Sequence, residues 1–168
     1  MVGSGFDRLM EIVERSGLPS VLHEHMPART MEDATQNLSF DVARIVKTVA
    51  FRIRNGGLVL AALRGTGRVD YSRLAALVGV NRRDLAPLSP EEVQELLEVE
   101  PGSVSPLPLQ ECAVFIDDDV LTIQPTIYCG IGRPDRTLEI AALDLVALSG
   151  GLTGSFSRQL IINGLKRV

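Results

Sequence analysis

The sequence predicts an α/β chain of the α+β kind, a single compact domain in which helices flank a mixed, mostly antiparallel sheet. Three observations carry this. Short apolar runs with the period of a strand alternate with segments of helical period along the chain. The pair Asn55-Gly56 between two apolar runs signals a hairpin, so part of the sheet is antiparallel, and hairpins mixed with helices fit a mixed sheet better than a strictly parallel one. The 168 residues, 45% of them apolar, suffice for one full core without a second domain.

The elements follow in order. Phe6 to Ser16 reads as an amphipathic helix stopped by Gly17, and Leu18-Pro19 leads into a strand from Val21 to His25. Thr30, with Asp33 three residues on, caps a short helix with Met31, Ala34 and Leu38 on its inner side. Val46 to Arg54 and Gly57 to Arg64 form the hairpin about a two-residue turn at Asn55-Gly56. Asp70 starts a helix through Leu74 and Leu77 to Gly79. Ser89 to Glu92, SPEE, starts another, with serine as cap, proline in the first turn and Glu92 closing a capping box; it ends before Pro101. Ala113 to Ile116, Thr126 to Cys129 and Leu138 to Ile140 read as strands, and a helix through Leu143, Leu145 and Leu148 follows. The tail from Gly150 to Val168 reads as a C-terminal docking helix or a partly ordered extension.

Composition limits the function classes. The formal net charge of -4 weighs against unspecific coating of nucleic acid, which needs a surplus of Lys and Arg on the contact face, but leaves room for a local basic patch. The N-terminus lacks the pattern of a secretion signal and no apolar run reaches membrane-spanning length, so a soluble cytoplasmic protein without membrane or DNA partners is expected. Cys112 and Cys129, without C-x-x-C spacing, read as free structural thiols.

Chemistry is suggested at three places. Read with a period of two, the strand RIVKTVAFRIR puts Ile45, Lys47, Val49, Phe51 and Ile53 on one face, apolar except for Lys47. Such a lysine either snorkels to solvent at the strand's end or points into a cavity where an anion or dipole compensates its desolvation. In EPGSVSPLPLQ, Glu100 to Gln110, three prolines stiffen a loop whose N–H groups at Ser103, Val104 and Ser105 are left free; it is either a plain connector or a holder of an anion or carbonyl. Gly130 and Gly132 follow a strand, but Asp135 stands where a dinucleotide fingerprint needs its third glycine, so they mark close backbone approach. His23 and His25 share a strand face without enough further ligands for zinc, and Asp117 to Asp119 lack the spacing of a calcium loop, so no metal or other cofactor is expected.

Taken together, HEHMP at His23 to Pro27, Thr30 and its acidic helix, VKTVAF around Lys47, RVDYSRLAALVG, the EPGSVSP loop, FIDDD and GIGRPDRTLEI resemble the YbaK/ProX family of aminoacyl-tRNA deacylases. The same domain is found inserted in some bacterial prolyl-tRNA synthetases. The resemblance runs from residue 18 to 149 of a single domain spanning 1–168 and leaves 150–168 as an extension.

It implies the fold of that synthetase-associated domain and an activity: hydrolysis, in trans, of the ester joining a wrong amino acid to a transfer RNA. The implied partners are a mischarged aminoacyl-tRNA and an aminoacyl-tRNA synthetase. Lys47 matches the family's essential lysine, and Gly102 to Pro106 match its Gly-x-x-x-P loop, which makes Lys47 and Gly102 the expected catalytic residues. His23, Thr48, Ser103, Val104, Ser105, Pro106, Asp117, Gly130 and Gly132 are the expected substrate-binding residues. Some relatives carry serine at the position of Gly130, tyrosine at His23 and glycine at Pro108, which bears on substrate identity. Two other readings stay open: a non-catalytic accessory module that binds tRNA or a nucleotide, and a small-molecule binding protein.

Overall fold

In the computed structural model, which describes residues 4–159, 161–162 and 165–166, helices cover both faces of one mixed sheet. Helix α1 (Gly5–Ser16) begins where the Ser4 hydroxyl accepts from the Asp7 N–H and ends at Gly17 in the left-handed region. Strand β1 (Ser20–Glu24) and helix α2 (Met31–Asn37), capped by Thr30, follow as the sequence predicts. Then come β2 (Ile45–Ile53), β3 (Leu58–Arg64), β4 (Gly67–Val69), α3 (Tyr71–Val78) and β5 (Leu85–Pro87). Helix α4 (Pro90–Glu92) shows the expected Ser89 and Glu92 capping box, but it widens at once into a π turn over Val93–Leu97 that keeps both end residues buried. After β6 (Ala113–Asp117), β7 (Ile127–Gly130), β8 (Arg136–Ile140) and α5 (Ala142–Ser149), the chain adds β9 (Leu152–Gly154), β10 (Ser157–Gln159), β11 (Ile161–Ile162) and β12 (Leu165–Lys166).

The main sheet has the order β1-β8-β7-β2-β3-β6-β9, with β5 also paired to β2. Pairs β1/β8, β7/β8, β2/β3 and β2/β5 are antiparallel, and β2/β7, β3/β6 and β6/β9 are parallel. Strand β3 is buried on both sides, and successive residues feed different cores. Leu60 and Ala62 join Leu9, Val13, Ile116 and Leu145 on one face, and Val59, Ala61 and Leu63 join Phe51, Leu74 and Phe156 on the other.

Two expectations, on the hairpin loop and on the tail, are corrected here. Strands β2 and β3 stop at Ile53 and resume at Leu58, so the hairpin has a longer loop than two residues, with Asn55 at φ 58° inside it. On β2 both faces are covered: Val46 and Ala50 are as buried as Phe51, and only Arg52 is exposed, paired with Glu92. The tail carries strands where a docking helix or a partly ordered extension was expected, because β9 has the open edge of β6 to pair with and β10 that of β4. Residues 160, 163–164 and 167–168 of that tail lie outside the described residues.

Candidate functional site

A cavity opens where β2 parts from β7. The two strands pair only at Ile45 with Tyr128 and Val46 with Cys129, and the same edge of β2 meets β5 from Phe51 onward. The gap between these contacts leaves a hollow of about 280 Å³ whose wall includes Lys47, Thr48, Val49, Gly102, Ser103, Val104 and Gly130. Helix α2 contributes Met31 and Ala34, the turn after β7 contributes Arg133 and Pro134, and the start of β8 contributes Arg136.

Part of the wall is a constrained turn. Glu100-Pro101-Gly102-Ser103 has proline second, glycine third at φ 85°, and the Ser103 N–H donating to the Glu100 carbonyl at 3.0 Å, the pattern of a type II turn. Any Cβ at Gly102 would stand 2.4 Å from the Arg29 carbonyl oxygen, so both torsion and space require glycine. The turn is clamped from below by the Gly132 N–H, which donates to the Ser103 carbonyl at 2.8 Å. At Gly130 a Cβ would lie 2.6 Å from the Val104 carbonyl, so only glycine lets the end of β7 touch the loop. Of the amides expected to be free, Ser103 spends its N–H inside the turn, while those of Val104 and Ser105, and that of Gly102 as well, meet no acceptor among the described residues.

Four cations line the hollow. Arg29 pairs with Glu100 at 3.3 Å, and Arg133 and Arg136 each reach Asp135 at 2.9 Å. Lys47 has no ion-pair partner among the described residues. Burial holds its amine below the ordinary lysine value, and the Arg68 guanidinium pushes the same way. Two hydroxyls on the wall, Thr48 Oγ1 and Ser103 Oγ, are buried without a hydrogen-bond partner. Orphaned buried polar atoms are rare and mark places where a ligand can supply the missing bond. The wall holds no Asp, Glu or His among the described residues.

Other predicted site residues stand elsewhere. Ser105 turns toward the core, its hydroxyl accepting from the Leu107 N–H at 3.1 Å, and buried Pro106 continues the loop behind it. His23 Nε2 lies 2.7 Å from Glu139 Oε1, in a cluster where Phe40 stacks on Tyr128 at 4.2 Å and the Arg44 guanidinium sits 4.6 Å above the Tyr128 ring. Hydrogen bonds from Thr126 and His23 hold the Glu139 carboxyl below the usual range. Asp117 is buried at the end of β6, off the cavity wall, its carboxylate taken up by the N–H groups of Phe156 and Ser157. Sequence reasoning missed Arg29, Tyr128 and Thr137 on the wall; the alternation of Tyr128 and Gly130 along β7 was a usable signal for the second.

The profile of the aminoacyl-tRNA editing domain matches residues 25–148. Uncharacterized protein YwhH of Bacillus subtilis is 26% identical over 121 residues, 71% of this chain and 74% of that one. A proline–tRNA ligase of Limosilactobacillus fermentum is 26% identical over 112 residues, 64% of this chain but only 19% of the ligase, so the likeness spans about a fifth of that enzyme. A crystal structure provisionally named as a trans-editing enzyme for prolyl tRNA synthetase superimposes with a TM-score of 0.76 and 27% identity, covering 94% of this chain and 99% of that one. The matched stretch contains every cavity residue described above, and the chain belongs to the aminoacyl-tRNA editing domain family, as its YbaK-like motifs indicate.

Proposed function

We propose that this editing domain is a deacylase acting in trans, which hydrolyses the ester between a wrong amino acid and the terminal ribose of a transfer RNA. The observation that carries the reading is the unpaired amine of Lys47 on the wall of a small hollow that Gly102 and Val104, whose N–H groups meet no acceptor among the described residues, also line. Ester hydrolysis builds negative charge on the carbonyl oxygen, and donors already held in place stabilise it without reorganising, an effect of about 3 kcal/mol for one good donor. Lys47 supplies the charge that holds the ester carbonyl or the terminal phosphate. With no carboxylate or imidazole on the described wall, the attacking water is oriented by backbone carbonyls or by the substrate's own ribose hydroxyl. The likeness to a chain provisionally named a trans-editing enzyme supports action in trans, and the likeness to proline–tRNA ligases supports a prolyl-tRNA synthetase as an associated partner.

The test is deacylation of a panel of mischarged transfer RNAs by the wild type and Lys47→Ala. The variant should lose on the order of 10²-fold or more in rate while keeping its circular dichroism spectrum. Equal rates on every substrate would remove Lys47 from the chemistry. A wild type that binds tRNA and cleaves nothing would establish the accessory-module reading instead.

A further inference from the structure

Residues 150–159 lie beyond the stretch that the family profile matches, and they are built firmly into the fold. The link is Asp117. Its Oδ1 accepts from the Phe156 N–H at 2.8 Å and the Ser157 N–H at 3.0 Å, and its Oδ2 accepts from the Ser157 hydroxyl at 2.7 Å. Phe156 is fully buried beside Leu63, Val69 and Leu74. These contacts fix β10 against β4 in a register that sets Arg158 directly opposite Arg68.

The ribbon so formed sits next to the catalytic lysine. At Gly67 of β4, a Cβ would come within 3.3 Å of the Arg158 carbonyl and 3.8 Å of Leu63 Cδ1, and Leu63 is the cross-strand partner of Lys47. The ribbon therefore lies on the sheet face that carries Lys47, over the adjacent strand. That Arg68 lowers the affinity of the Lys47 amine for its proton agrees with this closeness.

The charges here do not balance. Arg68 is exposed and has no ion-pair partner among the described residues. Arg73 and Arg158 both lie 3.8 Å from one oxygen of Asp70, whose other oxygen accepts from the Arg73 N–H to cap α3. Arg73 and Arg158 thus divide one carboxylate between them, while Arg68 and the Lys47 amine have none among the described residues, on a chain whose net charge is -4. Exposed arginines in excess of their carboxylate partners, one of them close to a cavity lysine, fit a phosphate backbone, which offers closely spaced anions and rewards charge neutralisation by counterion release.

We propose that the β4/β10 ribbon is an RNA-backbone contact surface, on which Arg68, Arg158 and Arg73 hold phosphates of the strand that delivers its end to the cavity. The segment after the profile match then supplies part of the nucleic-acid grip. The proposal rests on the editing reading for the identity of the RNA, but its test does not depend on catalysis.

Uncharged tRNA is titrated with the full chain by fluorescence anisotropy at several salt concentrations. Arg68→Glu/Arg158→Glu should weaken binding at least about tenfold at moderate salt and flatten the log–log salt slope by about 2. Arg68→Lys/Arg158→Lys should stay within about threefold of the wild type, because a phosphate contact needs the positive charge more than the guanidinium fork. Thermal melts show whether each variant is folded. Three results would overturn the proposal: wild-type affinity and slope in the charge-reversed protein, equal losses in the lysine variant, or no salt-dependent tRNA binding by the wild type. An unchanged tRNA affinity with lost binding to a prolyl-tRNA synthetase would overturn it as well, in favour of a protein partner. A wild type that grips tRNA through these arginines but cleaves no ester would sink the deacylase reading and leave this one standing.

Discussion

Ser103 and Thr48 each bury a hydroxyl with nothing to bond, a cost of about 1–3 kcal/mol apiece that a folded chain rarely carries without use. Ser103→Ala should therefore leave stability unchanged or slightly raised, and raise KM about tenfold if the hydroxyl bonds the bound aminoacyl group; urea unfolding and steady-state kinetics on one mischarged tRNA separate the two effects. Lys47 gives a prediction with a sign. Its folded pKa is lowered by burial, so between that value and the ordinary one the unfolded chain binds more protons, and stability rises with pH through this window. Below the lowered pKa the cost of burying the charge is present in full. Lys47→Met should accordingly melt higher at neutral pH while losing activity, and in the wild type the rate should fall as pH rises through the lowered lysine pKa, if the ammonium form is the working one. The two thiols should also differ. Burial pushes the Cys129 thiol up to about 12, whereas half-buried Cys112 is raised less, so a thiol reagent at mild pH should label Cys112 first and Cys129 only on unfolding.

Among the elements, the turn at residues 100–103 and the strand β10 matter most for the site. Gly102→Ala combines a left-handed φ with a 2.4 Å approach to the Arg29 carbonyl, so it should destabilise the protein by about 1–3 kcal/mol and shift the 100–103 turn on the cavity wall. Deacylation should fall more than stability does, as chemical denaturation and single-turnover rates would show. Asp117→Ala strands the Phe156 and Ser157 N–H groups that its carboxylate satisfied. A loss of about 3 kcal/mol is expected, with faster hydrogen exchange at those two amides before the rest of the sheet opens. An unchanged exchange rate there would show that β10 is held by Phe156 packing alone.

For the molecule as a whole, the segment after α5 closes the fold on two sides. Strand β9 extends the main sheet beside β6, and Phe156 fills the second core from beyond the stretch that the family profile matches. A chain ended at Gly150 should lose the cooperative melt of the full protein, because Leu63, Leu74 and Phe115 would face water. Charge is also distributed at this scale. Arg29, Arg133 and Arg136 of the cavity are each paired with a carboxylate, Arg158 of the ribbon with Asp70, and Arg68 and Lys47 with none among the described residues, so local basic surplus coexists with an acidic net charge. No helix among the described residues is long and apolar enough to cross a membrane.

By itself the sequence determined what depends on neighbours along the chain. Helix caps at Ser89, Asp70 and Gly17, the hairpin about Asn55, the glycine requirement at Gly102 and the oddity of Lys47 on an apolar strand are all local stereochemistry or periodicity, and all of these are visible in the structure. Tertiary structure decided what depends on partners far away in sequence. The parting of β2 from β7 makes the hollow, the carboxylate of Asp117 turns from the site to the tail, the Ser103 amide is consumed within its turn, and β10 sets Arg158 opposite Arg68. The reason is physical: a torsion or a cap costs or gains free energy within a few residues, whereas a cavity and its field are set by which distant strands share an edge.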